Sequence, residues 1–396
     1  MSGAIGHSPR TDLLPAVEQV RALAAKHAEE TDETARFPVA VLDELRATGL
    51  LGLLVPTEYG GLGGGLDELL DITMELGRAD MSVAMIFSMH CQQVAGVVHH
   101  AAPRLAGELL PLIAAGRMYL ASVTTEAGKG GHLLTATAGL TAEADGLDID
   151  RFAPIVTGGE YADGFLITMR SPEARSAGDV SLVYAHRDQL TITPSGDWNP
   201  LGMRASHSTA LQLTGHVPEH QVVGGHGQFR TVVLDTFGPL AHLGWAASWL
   251  GTASGALSRV LRLLRSPEGR KGANLDSELL LTRLSRTRQR LETVHALMRH
   301  TAETVTRVRA EGDDLSRPRC QLLINSLKLT ASEECHRAVE DLIDAVGLRH
   351  GYLKGSPTGL ERALRDLRSA ALNYSNDRLH LADGKLALLD AEVRFA

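Results

Sequence analysis

The chain has 396 residues, of which 44% are hydrophobic and 22% charged, with 39 basic against 47 acidic side chains for a net charge of −8. That length gives room for about two or three packed domains. The mild acidity argues against a nucleic-acid surface, which needs clustered Lys and Arg, while leaving room for a local basic spot facing a small anion. The opening residues carry no basic stretch followed by an apolar one, so no secretory signal is expected. No apolar run approaches the roughly 18 residues of a membrane span. Cys91, Cys320 and Cys335 are scattered and form no CxxC pair, so neither a disulfide framework nor a metal site is expected, and a reducing, cytoplasmic setting fits best.

The first section reads as helical. Pro15 and Pro38 sit where first-turn prolines are tolerated. Val17, Val20 and Ala24 make one apolar stripe and Val41, Leu42 and Leu45 another, which Gly49 can end. A glycine-rich link, Tyr59 to Gly65, leads to a single long helical stretch over about 66–100, and a short helix over 105–114 follows. Near Met118 the text changes to short Val-, Ile- and Thr-bearing runs broken by Gly, Pro, Asp and Ser, which predict strands joined by turns. After Phe229 helical periodicity returns, predicting four long helices over 229–264, 275–311, 317–346 and 358–390. The expected fold is therefore α+β and mainly α. A helical domain over 1–117 precedes an antiparallel β-sandwich or barrel over 118–228, and a four-helix bundle over 229–396 completes it.

Four blocks stand out in this frame. Ser122-Val123-Thr124-Thr125-Glu126-Ala127-Gly128-Lys129-Gly130-Gly131 lies at the helix-to-strand transition. Ile155-Val156-Thr157-Gly158-Gly159 is followed by Ala162-Asp163, and Leu201-Gly202-Met203-Arg204-Ala205-Ser206 by Val217-Pro218. Gly351-Tyr352 precedes Leu360-Glu361-Arg362 and Arg365-Asp366. Taken in order and at this spacing, the blocks resemble the signatures of the acyl-CoA dehydrogenase superfamily across nearly the whole chain.

The resemblance implies an FAD-dependent enzyme whose isoalloxazine ring sits against the β section. It places Thr125 and Thr157 at the flavin N5–O4 edge, with Gly130 and Gly131 letting backbone approach the cofactor. Arg265, in Arg-Ser-Pro-Glu-Gly, resembles the family arginine that reaches the FAD pyrophosphate of a neighbouring subunit. Asp344 and Gly347 stand where the family contacts the neighbour's cofactor, and Asn376 lies in the matching catalytic loop. A homodimer or homotetramer follows from those contacts.

The resemblance also exposes a departure. Most family members carry a Glu on the loop after the Arg-Asp pair, where this chain has Tyr374. The family's second location falls at Ala241-His242. Neither holds a carboxylate. His242 is the better titratable candidate for a catalytic base, since imidazole works near neutral pH. Tyr374, with an ordinary pKa of about 10, suits hydrogen bonding better, and Asp377 either serves as a carboxylate or caps the final helix. The bland alternative for His242 is a helix histidine packed by Trp245 and Trp249. Other histidines that could line a pocket are His90, His99, His100, His132 and His207.

The leading expectation is an FAD-dependent dehydrogenase acting on an acyl thioester, carried on CoA or an acyl carrier protein. The alternative is a flavin-dependent monooxygenase using dioxygen and reduced FMN or FAD supplied by a partner reductase. A third reading is a catalytically silent flavin-binding homologue.

Overall fold

The computed structural model describes residues 10–128, 132–272 and 274–390. Helices α1 (Leu14–Thr34), α2 (Val39–Ala47), α3 (Leu66–Ala79), α4 (Met81–His100) and α5 (Pro103–Ala114) form the first section. Pro15 lies in the first turn of α1 and Pro38 caps α2. Val17, Val20 and Ala24 are buried, as are Val41, Leu42 and Leu45. The stretch expected to be one helix over 66–100 is two. Asp80 is extended, with φ −151° and ψ 123°; its amide closes α3 on the Leu76 carbonyl at 2.9 Å, and its carboxylate accepts from the Val83 amide at 3.1 Å to cap α4. Contrary to the composition reading, α4 is long and apolar enough to cross a membrane. The share of its apolar window buried inside the fold is 89%, which makes it a core helix.

The central section holds β1 (Leu120–Val123), β2 (Thr141–Glu143), β3 (Gly146–Ala153), β4 (Gly164–Arg170), β5 (Val180–His186), β6 (Leu190–Ser195), β7 (Ala210–Val217) and β8 (Val222–Val223). They form two sheets, β1-β4-β5-β8 and β2-β3-β7-β6. One pairing departs from the antiparallel expectation: β1 runs parallel to β4, Leu120 opposite Gly164. The chain leaves β1, visits the second sheet through β2 and β3, and returns, and such a long crossover permits a parallel pair. Strand β3 alternates buried and exposed residues, whereas β4 is buried over six of its seven positions and β5 likewise. The first sheet is thus covered on both faces, the second on one.

The C-terminal section comprises α6 (Phe229–Val232), a wide turn over Val233–Phe237, α7 (Gly238–Arg265), α8 (Pro267–Gly272), α9 (Glu278–Ala310), α10 (Pro318–Gly347), α11 (Leu360–Arg368) and α12 (Asn376–Ala387). Pro239 has no amide hydrogen for the ordinary i→i−4 bond to the Asp235 carbonyl, and Arg309 donates to that carbonyl instead. The expected fourth helix over 358–390 is split by a turn over 369–375. Helix α7 runs alongside α10 in the same direction: His242 meets Ile324, and Lys328 lies over Trp249. The bundle is bound to the first section by a close crossing of α3 and α7. There a Cβ on Gly251 would stand 2.2 Å from the Met74 carbonyl oxygen, and one on Gly77 2.7 Å from that of Ser248.

Candidate active site

The two sheets meet at the end of β1. The Thr125 hydroxyl donates to the Ile155 carbonyl at 2.8 Å and accepts from the Ile155 amide at 3.3 Å. Behind it, buried Arg151 donates to the carbonyls of Thr125 and Phe152 at 2.5 Å each and lies 3.5 Å from the Glu126 carboxylate. Glu126 in turn accepts from the amides of Thr137 and Ala138. Two residues beyond Ile155, the Thr157 hydroxyl joins Ser208 at 3.0 Å, and Ser208 joins Ser206 at 2.9 Å.

Thr125 is thus tied to Ile155, two residues before Thr157, and its hydroxyl is engaged there. Its only hydroxyl hydrogen goes to Ile155, so this side chain cannot donate to a ring. Thr157 keeps that capacity through the serine chain. Gly130 and Gly131 lie outside the described residues. Gly128 has φ +79°, with open space where a side chain would be, and Ile155 presents a half-exposed apolar face beside Thr125.

From this edge a rigid path leads to the bundle. The Gly158 amide donates to the Ser206 carbonyl at 3.1 Å, and the Met203 amide donates to Asp366 Oδ1 at 2.7 Å. Gly202 packs so tightly on α11 that a Cβ would lie 2.2 Å from the Arg365 carbonyl oxygen. Helix α11 opens into the 369–375 turn, where Tyr374 adopts the left-handed region at φ +53°. That conformation turns its carbonyl to Lys328, whose Nζ donates to it at 2.8 Å and to Asn376 Oδ1 at 2.6 Å. Ser332 completes the knot with Asn376. The Asn376 side chain is thus held by its own chain, not presented to a cofactor, and Asp377 is exposed in the first turn of α12, as a helix-terminal carboxylate is.

His242 lies across from this turn. Its ring centroid is 6.4 Å from that of Tyr374 and 5.7 Å from that of Trp245, and Trp249 follows at 6.3 Å from Trp245. Burial, helped by the charge of Lys328, lowers the His242 pKa to about 4. Burial raises that of Tyr374, which nearby Arg378 offsets in part. Burial also lowers Lys328 to about 8. Both formal charges that bear on His242 and Tyr374 are positive.

Three of the expected residues lie elsewhere. Arg265 is exposed at the far end of α7, roughly 35 Å along the helix from His242. Asp344 is exposed near the end of α10, where its carbonyl accepts from Arg283 at 2.6 Å, and Gly347 closes that helix at φ +68°. His90 is structural: its Nε2 faces the Leu51 carbonyl at 2.9 Å and its Nδ1 accepts from the Leu120 amide at 3.0 Å. His207 bridges Glu160 and the Ala35 carbonyl, His100 joins Thr236, and His132 is exposed.

Lys328 was missed, though a signal exists. It falls inside the buried stripe of Ile324, Leu327, Ala331 and Cys335, where a charge demands partners. Lys328→Met is expected to lower the unfolding free energy by about 2 kcal/mol, since two acceptors lose their donor. It should also raise the His242 pKa. Urea denaturation and an NMR titration of His242 check the two effects, and unchanged values for both would contradict the clamp.

Two family models match the chain: the acyl-CoA dehydrogenase N-terminal domain over residues 15–117 and the C-terminal domain over 243–377. The chain belongs to the acyl-CoA dehydrogenase superfamily. It is a flavin-dependent oxidoreductase of that superfamily. Among curated relatives, a dibenzothiophene monooxygenase of Rhodococcus erythropolis is 24% identical over 389 residues, covering 90% of this chain and 89% of its own. The structure of TdsC from Paenibacillus sp. A11-2, with FMN and indole, superimposes with a TM-score of 0.85 at 22% identity, over 97% of this chain and 98% of that one. Butyryl-CoA dehydrogenase from Megasphaera elsdenii gives 0.82 at 18% identity, over 97% and 100%. At such identities the structural likenesses establish the fold, and the family's chemistry has to be read from the side chains above.

Proposed function

We propose that the protein is a flavin-dependent monooxygenase that takes reduced flavin from a partner reductase and transfers one atom of dioxygen to a small aromatic compound. One observation carries this reading. Where the family's dehydrogenases hold a carboxylate base, this site offers His242, lowered to about 4, and Tyr374, raised above its ordinary value, each beside a positive charge. Removing a proton next to a thioester carbonyl needs a base matched to neutral pH, and neither group is so matched. Oxygen transfer makes no such demand: it needs a dry pocket, a held substrate and a source of electrons. The relation to a dibenzothiophene monooxygenase along nearly the whole chain points the same way. Acyl-thioester dehydrogenation, the leading expectation from sequence, becomes the second reading for want of a base.

The residues present fit an isoalloxazine ring. The Ile155 side chain offers an apolar face, Thr157 a hydroxyl donor, and the Thr125–Gly128 turn a backbone that can be approached closely. The bound reduced flavin supplies the electron pair by which dioxygen yields one oxygen atom to substrate and one to water. Arg151 fixes the Thr125 carbonyl, Lys328 fixes the Tyr374 turn, and the tryptophans of α7 exclude water behind His242. FMN or FAD satisfies these contacts. Only FAD has a use for Arg265, Asp344 and Gly347, and then from a second copy in a homodimer or homotetramer.

Anaerobic titration of the flavin-loaded protein with butyryl-CoA and carrier-bound acyl thioesters tests the choice. The flavin is expected to keep its oxidised spectrum. Bleaching by any of these thioesters would reinstate the dehydrogenase reading.

A further inference from the structure

The hydroxyls of Thr157, Ser208 and Ser206 stand in line, 3.0 and 2.9 Å apart. The backbone sets that line. The Val156 amide donates to the Thr209 carbonyl at 3.0 Å and the Gly158 amide to the Ser206 carbonyl at 3.1 Å, so residues 206–209 bracket Thr157 from both sides. Between the serines His207 adopts the left-handed region at φ +41°, a conformation uncommon for a residue with a side chain. Its ring is held by Glu160 at 3.1 Å and by the Ala35 carbonyl at 3.0 Å. Glu160 also accepts from the Thr209 hydroxyl at 2.8 Å. The surroundings thus maintain a strained turn, and that turn brings two serine hydroxyls into contact.

The direction of the chain follows from counting hydrogens. Each hydroxyl owns one, and two contacts use two of the three. The spare hydrogen falls on Ser206, Ser208 or Thr157, according to which way each contact runs. Ser206 and Ser208 are 3% and 4% exposed, and among the described residues neither hydroxyl meets an acceptor outside the chain of three. A spare hydrogen on either serine would be buried unmatched, at a cost of about 1–3 kcal/mol. Thr157 is only half-buried. With Ser206 donating to Ser208 and Ser208 to Thr157, the spare hydrogen stands on Thr157, where solvent or a ligand can accept it. That arrangement wins.

We propose that Ser206 and Ser208 are positioning residues that hold the Thr157 hydroxyl as a hydrogen-bond donor to an acceptor atom on the polar edge of the bound flavin. The assignment rests on the flavin seat described under the proposed function, and it holds whether that flavin serves oxygen transfer or dehydrogenation. The serines act through Thr157, not on the ring. The ring atom they select is a carbonyl oxygen or an unprotonated nitrogen, since an N–H would face a hydroxyl already committed to donating.

Flavin affinity reads this out without turnover. Full-length protein freed of flavin is titrated with FMN, and in parallel with FAD, by the quenching of flavin fluorescence. Thr157→Val, which keeps the shape and loses the hydroxyl, is expected to weaken binding about tenfold, and Thr157→Ser to stay within about threefold of the original affinity. Ser208→Ala is expected to weaken binding about fivefold in the otherwise unchanged protein and to have no effect in a Thr157→Val background, where there is no hydroxyl left to orient. A serine that merely supports the fold would cost the same in both backgrounds. Should Ser208→Ala fail to fold, Ser206→Ala in the same two backgrounds serves in its place, with a loss of about threefold expected only where Thr157 is present. Equal losses in the two backgrounds overturn the proposal, as does a Ser208→Ala protein that binds flavin as well as the original. Failure of the unsubstituted protein to bind either flavin would overturn the seat itself and this role with it. Coupled serines in a protein that transfers no oxygen would sink the monooxygenase reading and leave the positioning role standing.

Discussion

Arg365→Ala is expected to lower the unfolding free energy by about 3–5 kcal/mol, the cost of removing one partner from a buried ion-pair network. Arg365 is 17% exposed and holds Asp32 of α1 through two hydrogen bonds, at 2.6 and 3.0 Å. It also pairs with Glu361 at 2.7 Å and donates to the Leu201 carbonyl at 3.0 Å. Its loss strands two mostly buried carboxylates and unties the first helical section, the 201–208 loop and α11 at once. The candidate site is built along that path, so activity should fall with stability. Urea unfolding checks the first effect, and a change below about 1 kcal/mol would show the network to be solvated.

The second large effect depends on pH. Asp366 is buried, and desolvation together with the neighbouring charge of Asp80 raises its pKa from 3.8 to about 7. A carboxylate raised in the folded state binds its proton there more tightly than in the unfolded chain. Its contribution to stability is therefore full below about pH 4, declines as pH rises, and is gone above about pH 7. The integrated effect is on the order of 4 kcal/mol. Asp366→Asn keeps an acceptor for the Met203 amide and imitates the protonated acid. The variant should match wild type near pH 4 and gain on it steadily up to pH 8. Parallel stability curves for the two proteins across that range would contradict a protonated Asp366.

These two residues also show what the sequence could convey. Arg365-Asp366 stood out as a motif, and so did the glycine-bearing turns at Gly128, Gly158 and Gly202, because turn chemistry is local and leaves a local signature. The order helix, strand, helix was legible for the same reason: periodicities of 3.6 and 2 persist over many residues. Failures came where a single contact overrides a continuous pattern. Asp80 breaks an apolar run through one carboxylate on one amide. Tyr374 takes a left-handed conformation in which its carbonyl accepts from Lys328, 46 residues away. The parallel pairing of β1 with β4 depends on a crossover that no strand announces.

At the candidate site the partners of several residues were not legible in the sequence. The Thr125 hydroxyl donates to Ile155, two residues before Thr157. Tyr374 does face His242, yet burial moves the two pKa values in opposite directions, both away from neutrality. Asn376 is a structural partner of Lys328. Burial and through-space charge decide these roles, and neither is a property of a residue's neighbours in sequence.

The chemistry we propose is oxygen transfer by a fold whose site lacks a matched base. It is tested most directly by supplying the protein with chemically reduced FMN or FAD, a panel of small aromatic compounds and isotopically heavy dioxygen, and weighing the products by mass spectrometry. One heavy oxygen atom in an oxygenated aromatic product is the predicted result. Unchanged aromatic compounds, with butyryl-CoA or a carrier-bound thioester reducing the same protein's flavin under nitrogen, would contradict it.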